Sequence, residues 1–383
     1  MYYHKLGKIP PKRHTQFRRP DGELYTEHLF GAEGFSGNSS LLYHHMEPTQ
    51  VLRVELGADV KPVAVSDDVL RHHHLVTKDI EEGGDAITSR KTVLFNNDVE
   101  IMLSRPTENM DYFYKNGEHD EMFFVHEGEG YVQTMFGRLE FKPFDYVYIP
   151  RATIYQVVFH TKKNRLLVWD STGPIEFPKR YLSDMGQFME NSPFCERDFR
   201  LPTEPLYFEE MGEFEVRIKK LGRMHHYWMN HHPFNVIGWD GYLYPWIFSM
   251  KDFEPITGRV HQPPPVHQTF NAHNYVVCSF VPRKYDYHPL SIPAPYAHSN
   301  VDSDEVLYYV EGDFMSRKGV HYASITHHPG GIPHGPHPGT VKKSIGKEAT
   351  DEWAVMIDTF KPLFRTKYAV DLDDPKYPHS WIE

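Results

Sequence analysis

Cysteine is nearly absent: Cys195 and Cys278 are the only two in 383 residues, and they lie far apart. Two distant thiols are no disulfide framework, so the chain must hold itself together by burying apolar surface, and a reducing cytoplasm is the expected compartment. Long apolar runs are missing too. None approaches the ~20 residues that a membrane-spanning helix needs, and the opening Met1-Tyr2-Tyr3-His4-Lys5 lacks the apolar core of a signal peptide. Positive charge is in deficit, with 41 Lys and Arg against 52 Asp and Glu for a net charge of −11. That balance argues against a general nucleic-acid binder, which needs a cationic surface to displace counterions from phosphates. It still allows an anionic substrate, because a local cluster of Arg and His can make a positive pocket. The first 19 residues run against the trend, with six Lys or Arg and no acid. They read as an arm lying on another subunit or fraying, since Pro10-Pro11 fits the amphipathic helix of a transit peptide badly.

What the chain has in quantity is histidine, 26 in all, and the cluster between 225 and 337 is where chemistry is expected. Strand signals dominate the rest. Tyr131–Phe136, Tyr146–Ile149, Tyr275–Phe280 and Val306–Val310 are β-branched and aromatic runs bounded by Gly and Pro. Helices are expected only over Lys179–Asn191 and, as a short one, Tyr207–Met211. Many short strands with 30 prolines and 26 glycines point to an all-β sandwich or barrel.

An internal repeat organises these strands. Asp120-Glu121-Met-Phe-Phe-Val-His-Glu-Gly128 matches Asp304-Glu305-Val-Leu-Tyr-Tyr-Val-Glu-Gly312, and Asp145–Arg151 is aligned with His328–His334. Glu121 to Pro150 is 29 residues and Glu305 to Pro333 is 28. A strand, a Gly turn, a second strand and a Pro-His turn describe the two-motif pattern of a cupin. The expectation is therefore an all-β chain of two cupin-like β-barrel or jelly-roll domains with few short helices. The amino-terminal domain would span 1–205 and the carboxy-terminal domain 206–383.

The second copy offers a metal site. Two His and one carboxylate on one face suit a divalent metal that keeps open positions for substrate and oxygen. His298 and Glu305 flank a turn-like Ser299–Ser303, and His334 follows 29 residues after Glu305, so two strands pairing across a small barrel could bring the three together. The first copy keeps Glu121 and an upstream His119, but Arg151 is aligned with His334. A guanidinium does not ligate a cation, so that copy is expected to be scaffold.

These residues carry a likeness. Pro295-Tyr296-Ala297-His298-Ser299-Asn300, Glu305 and Pro333-His334-Gly335-Pro336 resemble the signature of the homogentisate dioxygenase family. The similarity extends over Val277–Arg283, Glu352–Pro362, Leu24–Leu29, Ser40–Tyr43 and Phe136–Arg151. The resemblance implies an Fe(II) enzyme that uses O2 to open the ring of homogentisate, a para-dihydroxybenzene with a carboxymethyl group, to maleylacetoacetate. It places iron ligands on His298, Glu305 and His334 and a substrate-contacting histidine on His328. It also implies a homo-oligomer built on trimers. The chain departs from the family in showing Phe314 where a tyrosine often follows the Glu strand. Gly238–Tyr242 stands near the place of the family's upstream catalytic histidine, without a clean counterpart.

The chemistry needs a base for a phenolic proton, and a neutral imidazole is the natural one. His261 and His267 flank Pro263-Pro264-Pro265. A polyproline helix with three residues per turn would put both on one face of a pocket wall. His225, His226, His231 and His232 read as structural loop residues, and His337 as an outer partner of the ligand turn. Arg283 could meet a substrate carboxylate, although a surface role suits a lone Arg better. Two other classes compete: a cupin dioxygenase of gentisate-like substrates and a non-catalytic bicupin. Retention of a full ligand set disfavours the second.

Overall fold

The computed structural model describes residues 1–66, 69–312, 314 and 319–382. The chain is all-β, built from several sheets in the manner of cupin-type proteins. The described residues contain two α-helices, Thr340–Ser344 and Lys367–Asp371, each of five residues. No helix among them is long and apolar enough to cross a membrane.

An eight-stranded sheet runs through the middle of the first copy. Its central strands Asp120–Glu127, Asp145–Ile149, Arg165–Ser171 and Val99–Ser104 are buried along almost their whole length. Side chains alternate across a strand, and here both faces are covered. Phe123, Val125, Val147 and Val168 enter a core shared with a seven-stranded sheet, while Phe124, Tyr146 and Trp169 enter a larger one. Continuous apolar runs with no polar alternation are what burial on both faces requires.

The second copy centres on a six-stranded sheet in the order Gln268–Ala272, Tyr275–Phe280, Trp353–Thr359, Asp304–Glu311, Ile325–His328, His73–Leu75. Here alternation separates structure from chemistry. Val306, Tyr308 and Val310 face the large core, whereas Glu305, Leu307 and Tyr309 face a cavity.

Strand pairing refines the repeat. Glu121, Phe123 and Val125 lie opposite Asp170, Val168 and Leu166, as Glu305, Leu307 and Tyr309 lie opposite Asp358, Met356 and Ala354. Ile149 pairs with Glu121 as His328 pairs with Glu305. Asp120 accepts the backbone N–H of Arg151 at 2.9 Å and Asp304 that of Gly330 at 2.8 Å. Arg151 therefore stands where the second copy has Gly330, not His334, and its side chain donates to the Thr172 carbonyl. The sequence alignment, which sets Arg151 opposite His334, makes Arg151 the obstacle to a first site. Instead Arg90, from outside the aligned segments, bonds Glu121 at 2.5 Å, and Lys219 bonds Asp170 and Glu100 at 2.8 Å each. His119 reaches only to 3.8 Å from Asp170. The interior that is a cavity in the second copy is filled in the first by Phe123, Val125, Leu166 and Val168, and cations of the chain neutralise its two acids.

The sheets do not part at residue 205. Met211–Lys220 and Arg223–His231 extend the seven-stranded sheet, and Trp246–Ser249 lies within the eight-stranded one. Conversely, His73–Leu75 crosses to the edge of the six-stranded sheet. The basic amino-terminal segment is tied down within its own chain by His4–Gly7, antiparallel to Val236–Gly241.

Neither expected helix forms. Lys179–Tyr181 is a single 3-10 turn. The chain then reverses through Ser183–Gln187, with Gly186 at φ +80° and Leu182 bridged to Phe188. The apolar spacing that mimics a helix arises because Tyr181 and Phe188 both turn into the core. Met211 opens a strand rather than closing a helix.

Candidate metal centre

Two chain segments meet to build the cluster. His298 and His334 form an isolated antiparallel bridge, exchanging N–H···O bonds of 2.8 and 2.9 Å. Their imidazole centres stand 4.2 Å apart. The approach depends on Gly335, where a Cβ would fall 2.6 Å from Ala297 Cα. Glu305, second in its strand, points into the same space, with Oε1 3.3 Å from His334 Nε2 and Oε2 3.6 Å from His298 Nε2. One ligand atom from each residue lies within 4.8 Å of the others.

The donor set fits a divalent metal. Glu305 and His334 are buried, and His298 is partly open. Both ring nitrogens of His334 lack a hydrogen-bond partner among the described residues, a costly state for buried polar atoms unless something completes it. Burial alone would raise the Glu305 pKa, yet His298, His328 and His334 around it hold it well below the usual carboxylate range. The carboxylate is thus ready to ligate. Asp358, opposite Glu305 in the register, is pushed well above its ordinary value by burial and by the Glu305 charge. A second acid thus stands beside the cluster, with the Glu305 charge disfavouring its ionised form. Sequence reasoning missed it, although Asp170-Ser-Thr-Gly-Pro174 and Asp358-Thr-Phe-Lys-Pro362 repeat its setting.

Outer contacts hold the cluster from behind. His328 is fully buried, with Nδ1 2.8 Å from Glu305 Oε1 and Nε2 3.0 Å from the Tyr377 hydroxyl. Both ring nitrogens are thereby engaged, and His328 braces the carboxylate rather than lining the cavity. His72 packs on His328 and His334 at 5.1 and 5.8 Å and on Trp381 at 5.2 Å. His337 meets Ser380 Oγ at 2.7 Å. A Tyr377→Phe chain is expected to lose up to about tenfold in metal affinity, at or below the low end of the range usual for a group bonded to a ligand itself, because Tyr377 acts through His328. Competition with a chelator measures it, and unchanged affinity would remove Tyr377 from this role.

The other sequence candidates divide. Pro264–His267 is a 3-10 turn, not polyproline helix, and His261 and His267 both line the cavity. His261 is about half exposed, with Nδ1 3.4 Å from Asp286 Oδ2. His267 is buried against Phe280, its ring centre 4.9 Å away. Phe314 also lines the cavity, 4.7 Å from Tyr309. His226 pairs with Glu215 and His231 with the Glu47 carbonyl, both at a distance from the cluster in sheet order.

An all-β chain of cupin type that gathers two His and one Glu beside a cavity defines a cupin-superfamily protein with a candidate metal site. Residues 56–250 match the family described as "Homogentisate 1,2-dioxygenase N-terminal". The chain is also 42% identical, over 384 residues covering 100% of it and 99% of the relative, to a protein of Saccharolobus solfataricus named "Putative dioxygenase SSO1533". It belongs to this dioxygenase-like family. Among solved structures it is similar to a cupin 2 conserved barrel domain protein from Leptotrichia buccalis, at TM-score 0.33 and 9% identity over 79% of this chain and 100% of that one. It is also similar to the Bacillus subtilis oxalate decarboxylase, at TM-score 0.35 and 10% identity over 78% of this chain and 80% of that one. Likeness at this level bears no further weight.

Proposed function

We propose that the protein is an Fe(II)-dependent ring-cleaving dioxygenase that opens homogentisate, or a closely related para-dihydroxy aromatic acid, with O2 to give maleylacetoacetate or its analogue. The observation that carries this reading is the His298–Glu305–His334 cluster at the wall of a cavity of about 170 Å³. Fe(II) bound there would supply a redox-active Lewis acid with positions left open by the three protein ligands. The residues of the chain do the rest. His298, Glu305 and His334 would hold the metal. Leu307, Met356, Phe280 and Ile292 make an apolar wall that excludes water from the ring. His261, with Nδ1 turned to Asp286, has Nε2 left to accept a phenolic proton.

The same reading gives two cupin units with their boundary near residue 250 rather than 205, a homo-oligomer and a cytoplasmic setting. Support for that boundary comes from the strands up to Ser249 that pair with the first copy and from the extent of the family match. A gentisate-like substrate is the second reading, favoured by Phe314 where a tyrosine hydroxyl would serve homogentisate.

Oxygen uptake decides among these. Protein loaded anaerobically with Fe(II) is expected to consume O2 with homogentisate and form a ring-opened product absorbing in the near ultraviolet. Values of kcat/KM across homogentisate, gentisate and simple hydroquinones rank the substrates. A ring without the carboxymethyl group winning by more than about tenfold, ~1.4 kcal/mol in transition-state binding, would overturn the choice of homogentisate. No uptake with any ring would overturn the dioxygenase reading.

A further inference from the structure

The cavity beside the cluster has two chemically different ends. His298 and Glu305 form one. At the other, the ring of Phe280 is flanked by the Arg283 guanidinium, 5.5 Å from its centre, and the His267 imidazole at 4.9 Å. All three residues line the cavity.

His267 is only 4% exposed, and its Nδ1 has no hydrogen-bond partner among the described residues. Burial, aided by the Arg283 charge, lowers its pKa to about 3, so the ring is neutral and free to donate from one nitrogen. An unpaired polar atom at such depth is costly until something completes it, and the residue that carries it lines the cavity. Arg283 gives one N–H to the Val281 carbonyl and one to Glu352 Oε1, both at 3.2 Å. A guanidinium carries five donors in a fixed fork that suits a carboxylate, so donors remain for a ligand. The acids on the same wall are already committed. Asp286 accepts the backbone N–H of Gln262 at 2.8 Å and faces His261, Glu305 belongs to the metal cluster, and Glu352 pairs with Arg283.

We propose that His267 and Arg283 form an anion subsite that receives the carboxylate of the ring substrate, so that the cavity selects hydroxylated aromatic acids over uncharged rings. This deepens the proposed function and rests on it for the identity of the ring; the subsite itself stands on the geometry of this wall. Glu352 moderates the subsite by sharing the guanidinium, and His267 adds a neutral donor beside it.

The test uses the metal-loaded full chain and an Arg283→Met/Glu352→Met variant, which removes both partners so that neither charge is left alone. A His267→Phe variant probes the second donor separately. Phenylacetate, a ring acid with no hydroxyl to be oxidised, is titrated calorimetrically, and kcat/KM is measured with homogentisate and with methylhydroquinone. In the double variant, phenylacetate affinity and homogentisate kcat/KM are expected to fall about 10- to 100-fold, the range for hydrogen bonds to a charged group. His267→Phe is expected to lose less in the same two quantities. Methylhydroquinone turnover should change by less than about threefold, well within a single weak contact. Equal losses on both rings, or unchanged phenylacetate affinity in both variants, would overturn the subsite. If the unaltered protein oxidises no ring yet binds phenylacetate in an Arg283-dependent way, the ring-cleaving reading fails and the subsite stands.

Discussion

A His334→Ala chain is expected to keep its β-rich circular dichroism and to lose nearly all of its bound metal and its activity. His334 is one of three ligands, its ring nitrogens are buried without hydrogen-bond partners among the described residues, and it sits on a short bridge to His298 rather than in a core strand. Deleting the imidazole therefore removes a donor without opening the main core, which is built from Val306, Tyr308, Val355 and Ile357 on the opposite face of the sheet. The loss in metal affinity should exceed the roughly 10- to 100-fold expected for an outer partner, so that Tyr377→Phe and His334→Ala differ in degree. Glu305→Gln is expected to behave like His334→Ala, because the carboxylate supplies the negative charge of the set. Full metal occupancy in both, by elemental analysis, would remove these residues from the site.

The second large effect lies in the first copy and concerns stability alone. Arg90→Ala is expected to destabilise the protein by about 3–5 kcal/mol, the cost of stranding one partner of a buried ion pair. Glu121 is 1% exposed and accepts from both Arg90 and the Tyr155 hydroxyl, the latter at 2.8 Å. Removing Arg90 leaves that carboxylate beside Asp170, its register partner. An Arg90→Met/Glu121→Leu double variant should recover much of the loss, since apolar packing commonly replaces a buried pair without penalty. Denaturant unfolding measures both. Because Arg90 and Lys219 occupy the surroundings of the two acids, Glu121→Gln is expected to leave the metal content near one per chain. Two metals per chain in the unaltered protein would contradict the view of this copy as scaffold.

Much of this fold is legible in the sequence. The β-branched and aromatic runs around Tyr146, Tyr275 and Val306 do form strands, because alternation and burial leave a clear mark on residue choice. His298, Glu305 and His334 do come together, because strand pairing in a two-motif repeat carries one segment onto the other. In the first copy the sequence points to Arg151 as the residue beside Glu121, and the structure places other cations there. Alignment by Pro put Arg151 opposite His334, whereas hydrogen bonds to Asp120 and Asp304 put it opposite Gly330. Arg90, 31 residues upstream of Glu121, had no spacing rule to mark it. His72 and Tyr377 reach the cluster from outside the repeated segments, 261 residues from Pro333 and 49 from His328, and contacts at such separations leave no local pattern. The Lys179–Asn191 segment misled for the opposite reason: a tight reversal with two buried rings reproduces the apolar spacing of a helix.

The most direct test of the central claim follows the oxygen atoms. Metal-loaded protein is given homogentisate under 18O2, and the product is weighed by mass spectrometry. A metal-dependent ring-cleaving dioxygenase places both labelled atoms in one ring-opened acid, with no other reductant consumed. Label in the new ketone is read only after rapid quenching, because that oxygen exchanges with water. An intact ring, or a ring-opened acid with no label in its new carboxylate, would contradict the claim.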